Sequence, residues 1–326
     1  MSADGDGTTV VLSCGHEVLR ADQSHYCSYI AWNGIQPFAM AAHAGSHSER
    51  PFHNTDEGLF IVVHQQSELS FTRVIADLEL ARRFTDEGTY DLAARHMGLA
   101  TKWLGLVIST THMLDSMDTA LFMQPGVGFR DLVVPASGAE SIAAREIELL
   151  AGMRADSPYM AVHGHVLTFR QVMDIPPGQR GRVARWWTHQ MEKRASERSV
   201  ACAFMEALVR EEMTLHSVWV LDKEHSFRKL MNAQWHFEKK MLQFRSAHYR
   251  LTRNHLMTAE ARKFIEGSAD EVKGTAAQGS STPSEAPPSA LHYLKAVFRT
   301  ARLFPQLYEF MAARDSTLAS LLRLDD

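Results

Sequence analysis

Asp56-Glu-Gly-Leu-Phe-Ile-Val-Val-His-Gln-Gln-Ser-Glu-Leu69 decides how the rest of the chain is read. Leu59, Phe60, Val62, Val63 and Leu69 fall near helical spacing, and no breaker interrupts the run before Thr72. Asn54 or Thr55 can cap this helix, and Asp56 and Glu57 place negative charge in its first turn, where the helix dipole favours it. Phe60 and His64 are four residues apart and so share one face. A charged imidazole is costly to bury among such apolar neighbours. His64 therefore reads as neutral, either satisfied by a backbone carbonyl in a core or given a specific hydrogen-bonding task.

Outward from this stretch, helical periods dominate. The first helix should run from 56 to about 84, followed by a short polar turn at Thr85 to Gly88. Thr89-Tyr-Asp91 opens a second helix to about Met117, with Leu92, Met97, Leu99, Leu104, Val107 and Ile108 on its apolar side. Two long helices joined so briefly make an antiparallel pair. A third long helical run covers 224–256, and Ala290 to Ala313 closes the chain as a helix or helix pair. No sustained two-residue alternation competes. The fold class is all-α, with residues 1–25 as a flexible arm and 26–326 as one domain containing a Gly-, Ser- and Pro-rich loop near 257–290.

Composition narrows the function classes. A hydrophobic content of 45% and a charged content of 22% over 326 residues describe an ordinary globular chain with ample core. A net charge of −4 lacks the basic excess of a dedicated nucleic-acid binder, and the basic stretch Arg180 to Arg198 is interleaved with Glu192 and Glu197 as a solvated helix face would be. No apolar run approaches the roughly eighteen residues of a membrane span. The three cysteines, at positions 14, 27 and 202, are too scattered for a disulfide framework or a zinc site. Met1 to Thr9 is acidic and Gly-rich, unlike a signal peptide, so a cytoplasmic location is expected.

The letters D-E-x-L-F-I-x-x-H-Q-x-S-E-L resemble the distal helix of the tryptophan 2,3-dioxygenases, members of the superfamily of histidine-ligated haem aromatic oxygenases. Phe129-Arg-Asp131, Pro135-Ala-Ser-Gly138, Ser141, Arg145, Ile147 and Glu148 resemble a second family block, in the same order along the chain. Phe244-Arg-Ser-Ala-His248 is similar to the family's W-R-x-x-H proximal signature. Two weaker segments also match: Tyr26-Cys-Ser-Tyr29-Ile30, and Lys273-Gly-Thr-Ala-Ala-Gln-Gly-Ser-Ser281.

The resemblance implies an all-α oxygenase that carries haem b and acts with O2 on the indole ring of tryptophan or a 3-substituted tryptophan. His248 would be the axial iron ligand, with His255 as the rival. His64 would meet the indole N–H, Phe60 would wall the pocket, and Arg130 would pair with the substrate carboxylate through its two parallel donors. Thr275 would meet the ammonium, and Ser137 belongs to the same substrate-binding set. Tyr26, Tyr29 and Ile30 would complete a neighbouring subunit's pocket, implying a homotetramer. The sequence departs from the family at Ser70, Ala139, Glu140 and Gly126, the last standing where the family has a pocket aromatic. Those departures leave open a monooxygenase making a 2-oxindole, and a haem sensor or scaffold without turnover.

Overall fold

The computed structural model describes residues 10–11, 17–18, 54–124, 128, 141–153, 156–162, 165–176, 193–194, 197–257 and 288–322. The chain divides into two compact units, Met1–Val62 and Val63–Asp326, with the boundary inside the first helix. In the first unit Val10–Val11 (β1) pairs antiparallel with Glu17–Val18 (β2). Asn54 then starts helix α1, Thr55–Asp86. Its Oδ1 accepts from the Asp56 and Glu57 amides at 3.1 and 3.3 Å, satisfying N–H groups that have no partner inside the helix.

The second unit is built on three long helices: the remainder of α1, α2 (Tyr90–Thr111) and α8 (Ser226–Met257). Gly88, at φ +75°, turns the chain between α1 and α2, a conformation that costs glycine little. Met97, Ala100, Leu104 and Val107 recur at steps of three and four on α2 and are wholly buried. Phe227, Leu230, Met231, Met241 and Leu242 are likewise buried on α8. Each large apolar side chain so buried contributes about 1.5–3 kcal/mol. Expected core positions are not all filled: Val62, Leu69 and Leu92 are exposed, because the buried stripes of their helices pass through Val63, Ser70 and Ala93 instead.

The second helix is shorter than its sequence period indicated. A 3-10 turn, His112–Ser116, takes its last stretch and leads to α3, Thr119–Met123, capped by the Asp118 carboxylate. Helix α4, Ile142–Ala151, is capped by Ser141, whose hydroxyl accepts from the Ala144 amide at 3.1 Å. It ends at Gly152, φ +136°, where a Cβ would lie 2.5 Å from the Ala201 Cβ and 2.6 Å from the Leu303 carbonyl. Only glycine permits both that turn and that approach.

Residues 153–222 contain a small hairpin, β3 (Pro158–Val162) and β4 (His165–Thr168), then α5 (Phe169–Asp174), α6 (Val200–Arg210) and α7 (Leu215–Val220). Arg194 does not sit on a solvated face. It is mostly covered and forms ion pairs with Glu79, Glu146 and Glu197, joining this segment to α1 and α4. The closing segment is a helix pair, α9 (Pro288–Thr300) and α10 (Pro305–Ala312), with a last turn α11 at Leu318–Leu321. The architecture is all-α as expected, the hairpins being minor additions. Among the described residues, no helix is long and apolar enough to cross a membrane.

Candidate active site

Of the predicted site residues, Phe60, His64 and His248 are described. Tyr26, Tyr29, Ile30, Arg130, Ser137 and Thr275 lie outside the described residues. Phe60 and His64 both fall within α1, at its second and third turns. His248 stands on α8, with its ring stacked 6.0 Å from that of Phe244, at 29° between planes. The residue is neither fully buried nor exposed, and protein surrounds its ring.

Burial pushes the His248 imidazole down to about 4, and the charges of His64 and Arg145 push in the same direction. The structure therefore brings together residues from three separated segments: His64 of α1, Arg145 of α4 and His248 of α8. At neutral pH the His248 ring is uncharged, and a neutral imidazole has a nitrogen lone pair to offer.

The rival histidine is occupied. His255 is buried, and its Nε2 lies 3.1 Å from the Leu114 carbonyl, an acceptor, so that nitrogen carries the proton and donates it. The bond ties the end of α8 to the 3-10 turn, and the ring also meets the edge of Phe122. Its Nδ1 has no hydrogen-bond partner among the described residues. His255 thus reads as a structural fastening, whereas His248 is held neutral by its surroundings.

Two further links join the segments. Glu68, one turn beyond His64, is pushed up by burial, partly offset by a hydrogen bond from Ser141 at the start of α4. Two turns farther along α4, Glu148 is shared by two arginines. Arg145 Nη1 donates to its Oε2 at 2.7 Å, and Arg245 Nη2 donates to its Oε1 at 2.8 Å. Arg245 Nη1 also donates to the Ala301 carbonyl at 2.7 Å. All three side chains are buried. Sequence reading had the letters R-x-I-E and F-R-S-A-H but gave Arg145, Glu148 and Arg245 no task. The available signal was two opposite charges three apart inside the apolar helix Ile142–Ala151, an arrangement that needs a buried partner.

Glu238 also went unassigned. It is wholly buried, and its Oε2 accepts from the Leu303 and Phe304 amides at 2.8 and 3.0 Å. Burial pushes its carboxyl up, against the pull of Arg245 and of those two amides. Glu238, Arg245 and His248 are spaced by seven and three residues and so lie along one side of α8.

The donor set suits a haem iron on physical grounds. Such an iron takes a neutral imidazole as ligand, and His248 is held neutral. Among the described residues, no group of three or more His, Cys, Asp or Glu is placed to hold a metal ion by itself.

The family described as tryptophan 2,3-dioxygenase matches residues 13–175, half of the chain. A tryptophan 2,3-dioxygenase of Bdellovibrio bacteriovorus is 34% identical over 134 residues, covering 40% of this chain and 35% of that protein. A tryptophan 2,3-dioxygenase 2 of Ralstonia nicotianae is 28% identical over 143 residues, or 43% and 37% of the two chains. The Dictyostelium discoideum tryptophan 2,3-dioxygenase is 30% identical over 117 residues, or 34% and 28%. The chain thus spans little more than a third of the length of the curated relatives it matches. His64, Arg130 and Glu148 fall inside the family match, and His248 falls beyond it.

Proposed function

This chain belongs to the tryptophan 2,3-dioxygenase family, and we propose that it is a haem-dependent oxygenase of the indole ring of tryptophan or a 3-substituted tryptophan. The observation that supports the reading is the neutral, protein-surrounded His248, with His64 and Arg145 as its electrostatic neighbours. His248 would hold haem b as its axial ligand. When bound, haem supplies the O2 chemistry that side chains cannot perform.

The chain's own residues bind and orient the substrate. Arg130 offers a guanidinium fork to the amino-acid carboxylate, and Thr275 offers a hydroxyl to the ammonium. His64 accepts the indole N–H, which fixes the ring's orientation. Phe60 provides a flat apolar wall, and Ser137 belongs to the same substrate-binding set. Tyr26, Tyr29 and Ile30 close the pocket of a neighbouring subunit in a homotetramer. Holding the ring and the reactive centre in one geometry removes much of the entropic cost of their encounter.

Insertion of both oxygen atoms cleaves the C2–C3 bond of the indole and yields an N-formylkynurenine product. A second reading rests on the sequence alone, where Gly126 stands at a position for which the family resemblance implies a pocket aromatic. Under it one oxygen atom enters to give a 2-oxindole, and the other leaves as water, with two electrons and two protons drawn from an external reductant. Incubating reduced, haem-loaded protein with tryptophan and with 3-methyltryptophan under labelled dioxygen distinguishes the two by product mass. Two labelled atoms support cleavage, one supports the oxindole, and haem uptake without turnover of either substrate overturns the enzymatic reading in favour of a sensor.

A further inference from the structure

We propose that Glu148 is a positioning residue for the iron site: it fixes the rotation and axial placement of α8, and thereby the direction in which His248 faces. The proposal rests on the reading of His248 as axial ligand and extends it to residues with no assigned role. Glu148 acts through Arg245, one turn before His248 on the same side of α8. One branch of the Arg245 fork is held by Glu148 of α4, and the other by the Ala301 carbonyl at the end of α9. Two acceptors on different elements restrain a planar guanidinium in angle as well as distance. The second oxygen of Glu148 holds Arg145, whose charge reaches the His248 ring. One carboxylate therefore sets both the helix that carries the imidazole and a cation beside it.

Helix geometry gives the lever. A side chain lies roughly 6 Å from its helix axis, so about 10° of rotation moves a ring by roughly 1 Å. Metal–ligand distances tolerate only about 0.2 Å. A helix held by apolar packing alone has several acceptable rotations, whereas a fork held at both branches has one.

The test uses the full chain loaded with haem, comparing wild type, E148Q, R245K and K239M. Lys239 is also on α8 but pairs with Asp315, away from Glu148 and its two arginines, so K239M controls for loss of a partly buried ion pair without loss of the clamp. E148Q and R245K should each weaken haem binding by roughly ten- to hundredfold, as loss of outer partners of metal ligands does. They should also shift or split the ferrous iron–histidine stretching band, while K239M leaves that band at its wild-type position. A haem-independent measurement runs alongside: the rate of His248 carbethoxylation in haem-free full chain, relative to exposed His112, should rise several-fold in E148Q and R245K only.

Folded E148Q with a wild-type band and wild-type His248 reactivity overturns the proposal. If E148Q does not fold, R245K decides by the same two readouts. The ligand assignment has its own test, because H248A retaining haem with an unchanged band refutes that assignment. If the wild type takes up no haem, the reactivity of His248 still settles Glu148: raised in the variants it supports the clamp, and unchanged it removes it.

Discussion

Protonation of His248 should destabilise the haem-free fold by an amount that follows from its surroundings. Its ring is held at about 4, against an ordinary value of 6.5, by burial and then by the charges of His64 and Arg145. The unfolded chain therefore binds a proton between about pH 6.5 and 4 that the folded chain refuses. Where the unfolded state binds more protons, stability rises with pH. The contribution is thus fully present above about 6.5 and is lost as pH falls through that window. At about 1.36 kcal/mol per unit, the loss approaches about 3 kcal/mol. H248Q keeps a polar group of comparable size but cannot titrate there. Urea unfolding of both haem-free proteins at pH 7, 6, 5 and 4 should show the wild type losing about 3 kcal/mol more than H248Q. A difference in stability that stays constant across this range would mean that the ring is protonated freely in the folded state. The claim of a neutral, enclosed ligand would then fail.

Three other outcomes are expected. Glu238→Ala removes an acceptor for two backbone amides at the break between α9 and α10. At about 1.5–3 kcal/mol per bond to a charged group, it should lower the unfolding free energy by at least about 3 kcal/mol, measured in urea near neutral pH. Arg130→Leu should raise the KM for tryptophan by at least roughly tenfold, one charge-assisted contact being worth about 1.4 kcal/mol or more, while binding of indoles lacking a carboxylate barely changes. Steady-state kinetics with calorimetric binding checks both halves, and equal losses for the carboxylate-free compounds would make the arginine a structural residue. Deleting residues 1–30 should cut activity and disturb the oligomer if Tyr26, Tyr29 and Ile30 complete a neighbour's pocket; sedimentation with assay reads both, and a fully active truncated monomer would remove the claim.

The sequence made some parts of this structure legible and hid others for identifiable reasons. Helices α1, α2 and α8 were readable because their apolar residues recur with the helical period over many turns, and the Asn54 cap and the Gly88 turn follow local rules that need no tertiary information. Exposure of Val62, Leu69 and Leu92 was not readable. An apolar stripe on a long helix fixes a face only to within about one residue, and the neighbours decide the rest. The 3-10 turn at His112–Ser116 was absorbed into α2 for a similar reason: its tightening is secured by a bond from His255, 141 positions later.

Charged residues show the same limit from the other side. Arg145, Glu148, Arg245 and Glu238 look like helix-surface charges when each is read in its own segment. Their burial becomes sensible only when residues about a hundred positions apart are brought together, as Arg245 is with Glu148. A buried arginine without a carboxylate would cost several kcal/mol, so either member of this pair alone argues for a partner without identifying it. His248 was singled out by its motif, yet no local rule separates it from His255 seven residues on. What separates them is the occupancy of a ring nitrogen: the Nε2–H of His255 donates to the Leu114 carbonyl, while His248 is held neutral by its surroundings. A histidine's role here is set by what its second nitrogen meets and what the enclosure costs its charge, and both are properties of the packed chain.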